Sequence, residues 1–184
     1  MAIEAGDFKT GLTLLIDGDP WVVLDFMHVK PGKGAAILKT KMKNLKTGAT
    51  QERNFNASTK FDAAEINKLK AQYSYNMGDV YYFMDNETFE TYELQESNIG
   101  FKKYFLLEGE EVSLVFWNGQ VLDITVPEKV ELVIAETTPA VKGNSTATKD
   151  AVTETGLTIR VPLFIEPGEK VLVFSEDGKY SGRA

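Results

Sequence analysis

Two stretches, GEEVSLVFWNG (residues 109–119) and GEKVLVFSEDG (residues 168–178), decide how this chain is read. Each opens on Gly-Glu, runs through Val, Leu and Phe, and closes on a turn pair, Asn118–Gly119 or Asp177–Gly178. An apolar, β-branched and aromatic run bounded by glycine reads as a strand entering a hairpin. Asn-Gly between two apolar runs is a strong hairpin signal, because both central positions of a tight hairpin turn need positive φ. The two stretches stand 59 residues apart at both ends, which is the length of one small barrel. The spacing predicts a repeated β unit, with boundaries near Phe61–Ala64 and near Pro127–Glu128.

Working outward, Leu12–Ile16 and Trp21–Phe26 flank the turn cluster Asp17–Gly18–Asp19–Pro20. Ala35–Met42 alternates and ends at Asn44–Gly48. Val80–Met84, Thr88–Leu94, Glu111–Trp117, Gln120–Val126, Val130–Ala135, Leu157–Phe164 and Lys170–Phe174 are further strand candidates. Helical periodicity is scarce: Ala63–Leu69 is the best short candidate and Asn98–Leu107 a weaker one. The expectation is a mainly β chain of three small barrels, residues 1–62, 63–127 and 128–184.

With 184 residues, 43% hydrophobic and 26% charged, the composition is that of a folded protein. The chain has no cysteine, which excludes disulfides, thiolate zinc, iron–sulfur clusters and a cysteine nucleophile. His28 is the single histidine, so a three-histidine metal site is excluded within one chain and a catalytic triad would have to use that residue. No nucleophile–base pair or metal cluster is visible, so neither an enzyme nor a cofactor is expected. The start Met1–Thr10 has no basic-then-apolar signal, and no apolar run approaches the ~20 residues that span a bilayer. A cytoplasmic monomer without membrane contact is expected.

The net charge of −7 is an average over unlike parts. Residues 1–62 are net +2 and residues 63–184 net −9. Between residues 26 and 60, Lys30, Lys33, Lys39, Lys41, Lys43, Lys46, Arg53 and Lys60 face only Glu52. A basic end on an acidic body points to a polyanion at that end, nucleic acid above all; the competing reading is a solvated basic face.

Within the basic segment, His28-Val-Lys30-Pro31-Gly32-Lys33-Gly34-Ala-Ala36 carries the chemistry. Pro31–Gly32 suits the centre of a type II turn, and Lys33 stands between two glycines with no bulky neighbour. Apolar runs on both sides predict a hairpin holding this tip outward, about 13 Å beyond the barrel for an arm of four residues at ~3.4 Å each. A phosphate-cradling P-loop fails, because no Ser or Thr follows Lys33 and the next run is strand-like. A presented lysine that contacts RNA or is modified remains, beside a plain surface hairpin.

The Lys30–Gly34 tip resembles that of the bacterial elongation factor P family. So do Asp7–Phe8–Lys9–Thr10–Gly11–Leu12 with Asp17–Gly18, the stretch from Tyr82 to Phe89, Trp117–Asn118–Gly119, and Pro127 with Val130–Glu131–Leu132. Lys149–Asp150–Ala151, Gly156, Ile159, Val161–Pro162, Ile165 and Gly168 extend the likeness through the last third. The resemblance implies an SH3-like (KOW-type) N-terminal barrel followed by two OB-fold barrels. It implies binding to the ribosome, rRNA and ribosomal proteins, beside peptidyl-tRNA, with relief of stalling at consecutive prolines and hence a preference for prolyl-tRNA. It also implies a lysine-modifying enzyme acting at Lys33, whose extension in family members is a lysyl-type or an aminopentanol group; His28–Val29–Lys30 and Ala35–Ala36 lean toward the latter. Lys30, Pro31, Gly32, Lys33 and Gly34 then form the tRNA-contacting loop, with Lys39, Lys41, Lys43 and Arg183 as further RNA contacts. Tyr180–Ser181–Gly182–Arg183 departs from the family pattern, in which valine commonly follows the tyrosine. The alternative is a generic RNA-binding or ribosome-assembly module without a modified lysine.

Other residues invite blander readings. His28 is expected to support the loop. Tyr73, Tyr75, Tyr81, Tyr82 and Phe83 are expected to pack in the core and at its edge rather than stack bases. Glu108, Glu110 and Glu111 read as a solvated face, and Asn144–Ser145–Thr146 as an idle sequon in a polar loop, residues 142–150. The acidic barrels would either meet basic ribosomal proteins or weaken nonspecific RNA binding.

Overall fold

The computed structural model describes residues 2–30, 32, 34–142 and 146–184. Strands dominate and fall into three antiparallel sheets. The first is built from β1 (Ala2–Glu4), β2 (Thr13–Ile16), β3 (Asp19–Val29), β4 (Ile37–Asn44), β5 (Thr50–Asn56) and β6 (Lys60–Ala63), in the order β1-β6-β2-β3-β4-β5. Backbone bonds from Ala5 and Gly6 to Thr59 and Ala57 close it. Ala5, Phe8, Leu14, Trp21, Val23, Leu38 and Met42 fill its core, with Phe55 and Phe61 against Phe8.

The second sheet contains β7 (Ile66–Met77), β8 (Val80–Asp85), β9 (Thr91–Gln95), β10 (Glu111–Trp117) and β11 (Gln120–Thr125); the third contains β12 (Lys129–Thr137), β13 (Thr148–Thr153), β14 (Thr158–Pro162), β15 (Lys170–Phe174) and β16 (Tyr180–Arg183). Their orders are β11-β10-β7-β8-β9 and, read from the other edge, β16-β15-β12-β13-β14. Strand for strand this is one topology used twice, so the 59-residue spacing is the spacing of equivalent hairpins. Asn118 and Gly119 take φ of 52° and 78°, the two positive values that a two-residue turn matched to strand twist demands. The first sheet is SH3-like, and the other two are OB-type barrels.

Between β9 and β10 runs a helical segment, α1 (Glu96–Ile99) and a 3-10 stretch, Gly100–Phe105. Ile99 enters the second core, whereas Phe105 is buried in the third with Leu132, Ile134, Val161 and Val171. The Asn98–Leu107 expectation is therefore met in place, and the segment bridges two barrels.

Two expectations are corrected, and one strand is added that the sequence pattern did not mark. Ala63–Leu69 is not helical: Ala63 ends β6 and Ile66–Leu69 opens β7, where Leu69 packs inward and Lys68 and Lys70 lie outward. Its apolar spacing, with Ile66 and Leu69 three apart, suits a helical turn, and pairing with β10 overrides it. Thr50–Asn56, too polar to stand out, is a full strand paired along β4. Part of the polar loop expected over residues 142–150 is strand: Lys149 is buried in β13, its ammonium donating to the carbonyl oxygens of Thr138 and, at 2.7 Å, Ile165. Asn144 and Ser145 lie outside the described residues. Tyr73, Tyr81 and Phe83 are core residues, while Tyr75 and Tyr82 stack on the outer face with ring centroids 4.7 Å apart. Glu108, Glu110 and Glu111 are exposed. Among the described residues no helix is long and apolar enough to cross a membrane.

Candidate nucleic-acid interface

β3 is the longest strand of the first barrel, and only its first part is held on both edges. β2 pairs with Asp19–Val22, and beyond Val23 the strand leans on β4 alone, as far as Val29↔Ile37. β5 continues along the far edge of β4 to Ile37↔Asn56. The predicted two-stranded hairpin is thus a three-stranded arm. It is held by ladders at two interfaces, unbroken between β4 and β5 and shifted in register between Val23 and Asp25 where β3 meets β4.

Lys30, Gly32 and Gly34 are exposed, and Gly34 takes φ of 112°. A Cβ added at either glycine would meet nothing within 4 Å, so the tip is unobstructed there. Pro31 and Lys33 lie outside the described residues. His28 is exposed on the arm with its ring edge-on to Phe26, 5.8 Å between centroids.

Lys39, Lys41 and Lys43 alternate with buried Leu38, Thr40 and Met42 on β4, so all three leave the same side of the strand. Their surroundings differ. Lys39 and Lys41 are exposed, across from Met27 and Asn54 and from Asp25 and Glu52 respectively. These residues and Phe26 line an open groove of about 420 Å³.

Lys43 leaves that group. Its side chain is 12% exposed; its Nζ donates to the Asn98 carbonyl at 2.6 Å and pairs with Asp123 at 3.3 Å, both in the second barrel. Burial pushes its pKa below the ordinary lysine value; Asp123 opposes the shift and Lys102 adds to it. A side chain so engaged is not on offer to RNA.

Around Lys43 the first two barrels meet through polar groups. Lys102 donates to both carboxylate oxygens of Asp123, at 3.2 and 3.1 Å, and to the Ile124 carbonyl at 2.6 Å. The Asn98 amide faces the carbonyls of Leu45, Lys46 and Leu122 at 3.0 to 3.2 Å. Gly48, at φ of 79°, lies so close to Ser97 that a Cβ would fall 2.0 Å from its carbonyl oxygen. Lys46 lies over the Trp117 ring at 5.0 Å and pairs with Asp19, whose carboxyl it holds below its usual range. Nothing in the sequence marked this joint, since its partners are 50 to 80 positions apart.

Arg183 sits at the opposite end of the molecule's chain, on β16. It is partly engaged: Nε and Nη2 donate to Glu169 at 3.1 and 3.2 Å, and the guanidinium covers the Phe164 ring at 4.5 Å. It remains more than half exposed, which leaves it able to meet a further acceptor. No group of three or more His, Asp or Glu that could hold a metal occurs among the described residues.

Comparison with known proteins matches the chain in three consecutive pieces. Residues 4–61 match the elongation factor P KOW-like domain, residues 66–124 the elongation factor P OB domain, and residues 130–183 the elongation factor P C-terminal domain. Among solved structures, a eukaryotic translation initiation factor 5A from Methanococcus jannaschii is similar at 31% identity and a TM-score of 0.50, over 68% of this chain and 92% of that one. A translation initiation factor eif-5a family protein from Naegleria fowleri matches at 18% identity and a TM-score of 0.40, over 68% of this chain and 96% of that one. With a basic arm on one barrel, two barrels of repeated OB topology behind it, and family matches along nearly the whole length, the chain belongs to the elongation factor P family, whose members are translation factors.

Proposed function

We propose that this translation factor binds the ribosome beside peptidyl-tRNA in the cytoplasm and stimulates peptide-bond formation at consecutive prolines. The observation that carries the reading is the three-stranded arm, which ends in an unobstructed Gly-bounded tip and bears exposed Lys39 and Lys41 along its side. The proposed units are residues 1–62, bearing the arm, 63–127 and 128–184.

Proline is a secondary amine with locked φ, which makes it a poor nucleophile and a poorly placed peptide end. The remedy needs no acid or base from the factor. Lys33, carrying an extension added by a modifying enzyme, reaches the CCA end of the tRNA and holds it in a reactive geometry. Lys30, Pro31, Gly32 and Gly34 present it. Fixing the geometry of reacting groups can lower a barrier by several kcal/mol, on the order of 7–11 in the best intramolecular cases. Lys39, Lys41 and Arg183 contact phosphate or ribose oxygens and set register rather than sequence. The factor acts as a monomer. Family membership and the likeness to an archaeal initiation factor 5A support a place in translation.

The test is translation of a message encoding a proline run, with protein isolated from its own host. Lys33→Ala should lose at least tenfold in the rate through the prolines and should lack the added mass that intact-mass spectrometry finds on the tip peptide. Unchanged relief of stalling, with no added mass on Lys33, overturns the reading.

A further inference from the structure

We propose that Lys43 and Asn98 are positioning residues that lock the angle between the first and second barrels and so decide where the arm's tip lands; the functional part of this rests on the reading above.

The three hydrophobic clusters each belong to one barrel or to the second and third together; none joins the first barrel to the second. The first joint is laced with polar contacts instead, beside buried Leu45, Val115 and Leu122, which belong to none of those clusters. Hydrogen bonds weaken steeply when bent, whereas apolar contact has no direction, so a polar joint resists rocking. The Asn98 amide has two N–H donors and three carbonyls in reach, two from the first barrel and one from the second. A rotation that opens one of these contacts strains the others.

Lys43 is not needed to satisfy Asp123. The carboxylate already receives both contacts from Lys102 and the Ile124 N–H at 2.8 Å, all within the second barrel. What Lys43 adds is a cation from the first barrel, carried into a site where burial penalises its charge. A buried ion pair adds little net stability, and fixing geometry is its best-attested use. Gly48 completes the fit: its bare Cα lets the β4–β5 turn approach the Ser97–Asn98 backbone where no side chain fits.

The lever is long. Lys43 is at the joint and Ile37 at the base of the tip, six residues along one continuous strand, or about 20 Å at ~3.4 Å per residue. Rocking by about 10° would displace the far end by about 3.5 Å. A misplacement of about 1 Å can already cost on the order of a hundredfold in an oriented reaction.

The experiment uses the full chain with one spin label on the first barrel and one on the third. Lys43→Met, Asn98→Ala and Gly48→Ala break the joint by three routes: a lost cation, a lost amide and a steric wedge. Each variant should broaden the inter-label distance distribution and lower the saturating rate through a proline run at least tenfold. The concentration for half-saturation should shift less than threefold, and circular dichroism should stay native. Distributions as narrow as the parent's in all three, or a broadened joint with full rate, overturn the proposal. Lys33→Ala in the same assay separates the two readings. If it is as active as the parent, the proline reading falls, and the distance distributions alone decide whether these residues lock the angle.

Discussion

The molecule has two joints of different make, one threaded by hydrogen bonds and ion pairs and the other built on buried aromatic rings. The first and second barrels meet through Lys43, Asn98, Asp123 and Lys102; the second and third meet through Phe105, which belongs by sequence to one and by burial to the other. Around Phe105, Phe101 packs edge-on at 5.4 Å and lies against the β15–β16 turn at Gly178, while Val126 touches both cores. Burying an aromatic ring adds cohesion in proportion to area and is indifferent to small rotations. The second joint therefore makes two OB barrels into one body. The first adds little cohesion, because each buried charge must recover its desolvation, and contributes direction instead. A factor that must hold a long arm at a set angle needs cohesion at one joint and direction at the other.

The largest effect is expected at the apolar joint. Phe105→Ala should destabilise the second and third barrels together by about 3–5 kcal/mol, read as a drop in the midpoint of denaturant unfolding. If the third barrel alone weakens, the two are not one body. Asp123→Ala should cost about 3 kcal/mol, because it strands two ammonium groups that share one carboxylate. Its effect should exceed that of Lys43→Met, which leaves the Asp123–Lys102 pair intact; equal effects would mean the pair does not act within the second barrel.

The charge of Lys43 gives a pH test with a defined sign. Its pKa in the folded protein lies below the ordinary 10.5, so between the two values the unfolded chain binds more protons. Stability of the parent relative to Lys43→Met should therefore rise with pH through that window and stay flat below it. Paired denaturant titrations at pH 7 and pH 10 check this, and a relative loss at pH 10 would contradict burial as the dominant influence. At the rim, where Lys46 is exposed over Trp117, Lys46→Ala should cost only about 0.5–1 kcal/mol.

Much of the fold is legible locally. Glu111–Trp117 and Lys170–Phe174 are strands with the bounds their composition suggests, and Asn118–Gly119 turns as such a pair must. Where local signals mislead, the cause is a distant partner. Thr50–Asn56 is a strand because β4 offers it a continuous ladder, and its polar side chains face water. Lys149 looks like loop and is core, because backbone carbonyls of Thr138 and Ile165 receive its ammonium.

The candidate site divides the same way. Local sequence places a glycine-bounded lysine between two strand-forming runs and spaces two small β units by a repeat, because turn chemistry and a period of two are local properties. Only the tertiary structure decided that this face is solvent at Lys39 and Lys41 and a joint at Lys43. The difference lies in Asn98 and Asp123, 55 and 80 residues away, and no local pattern on β4 records which surface another barrel will cover.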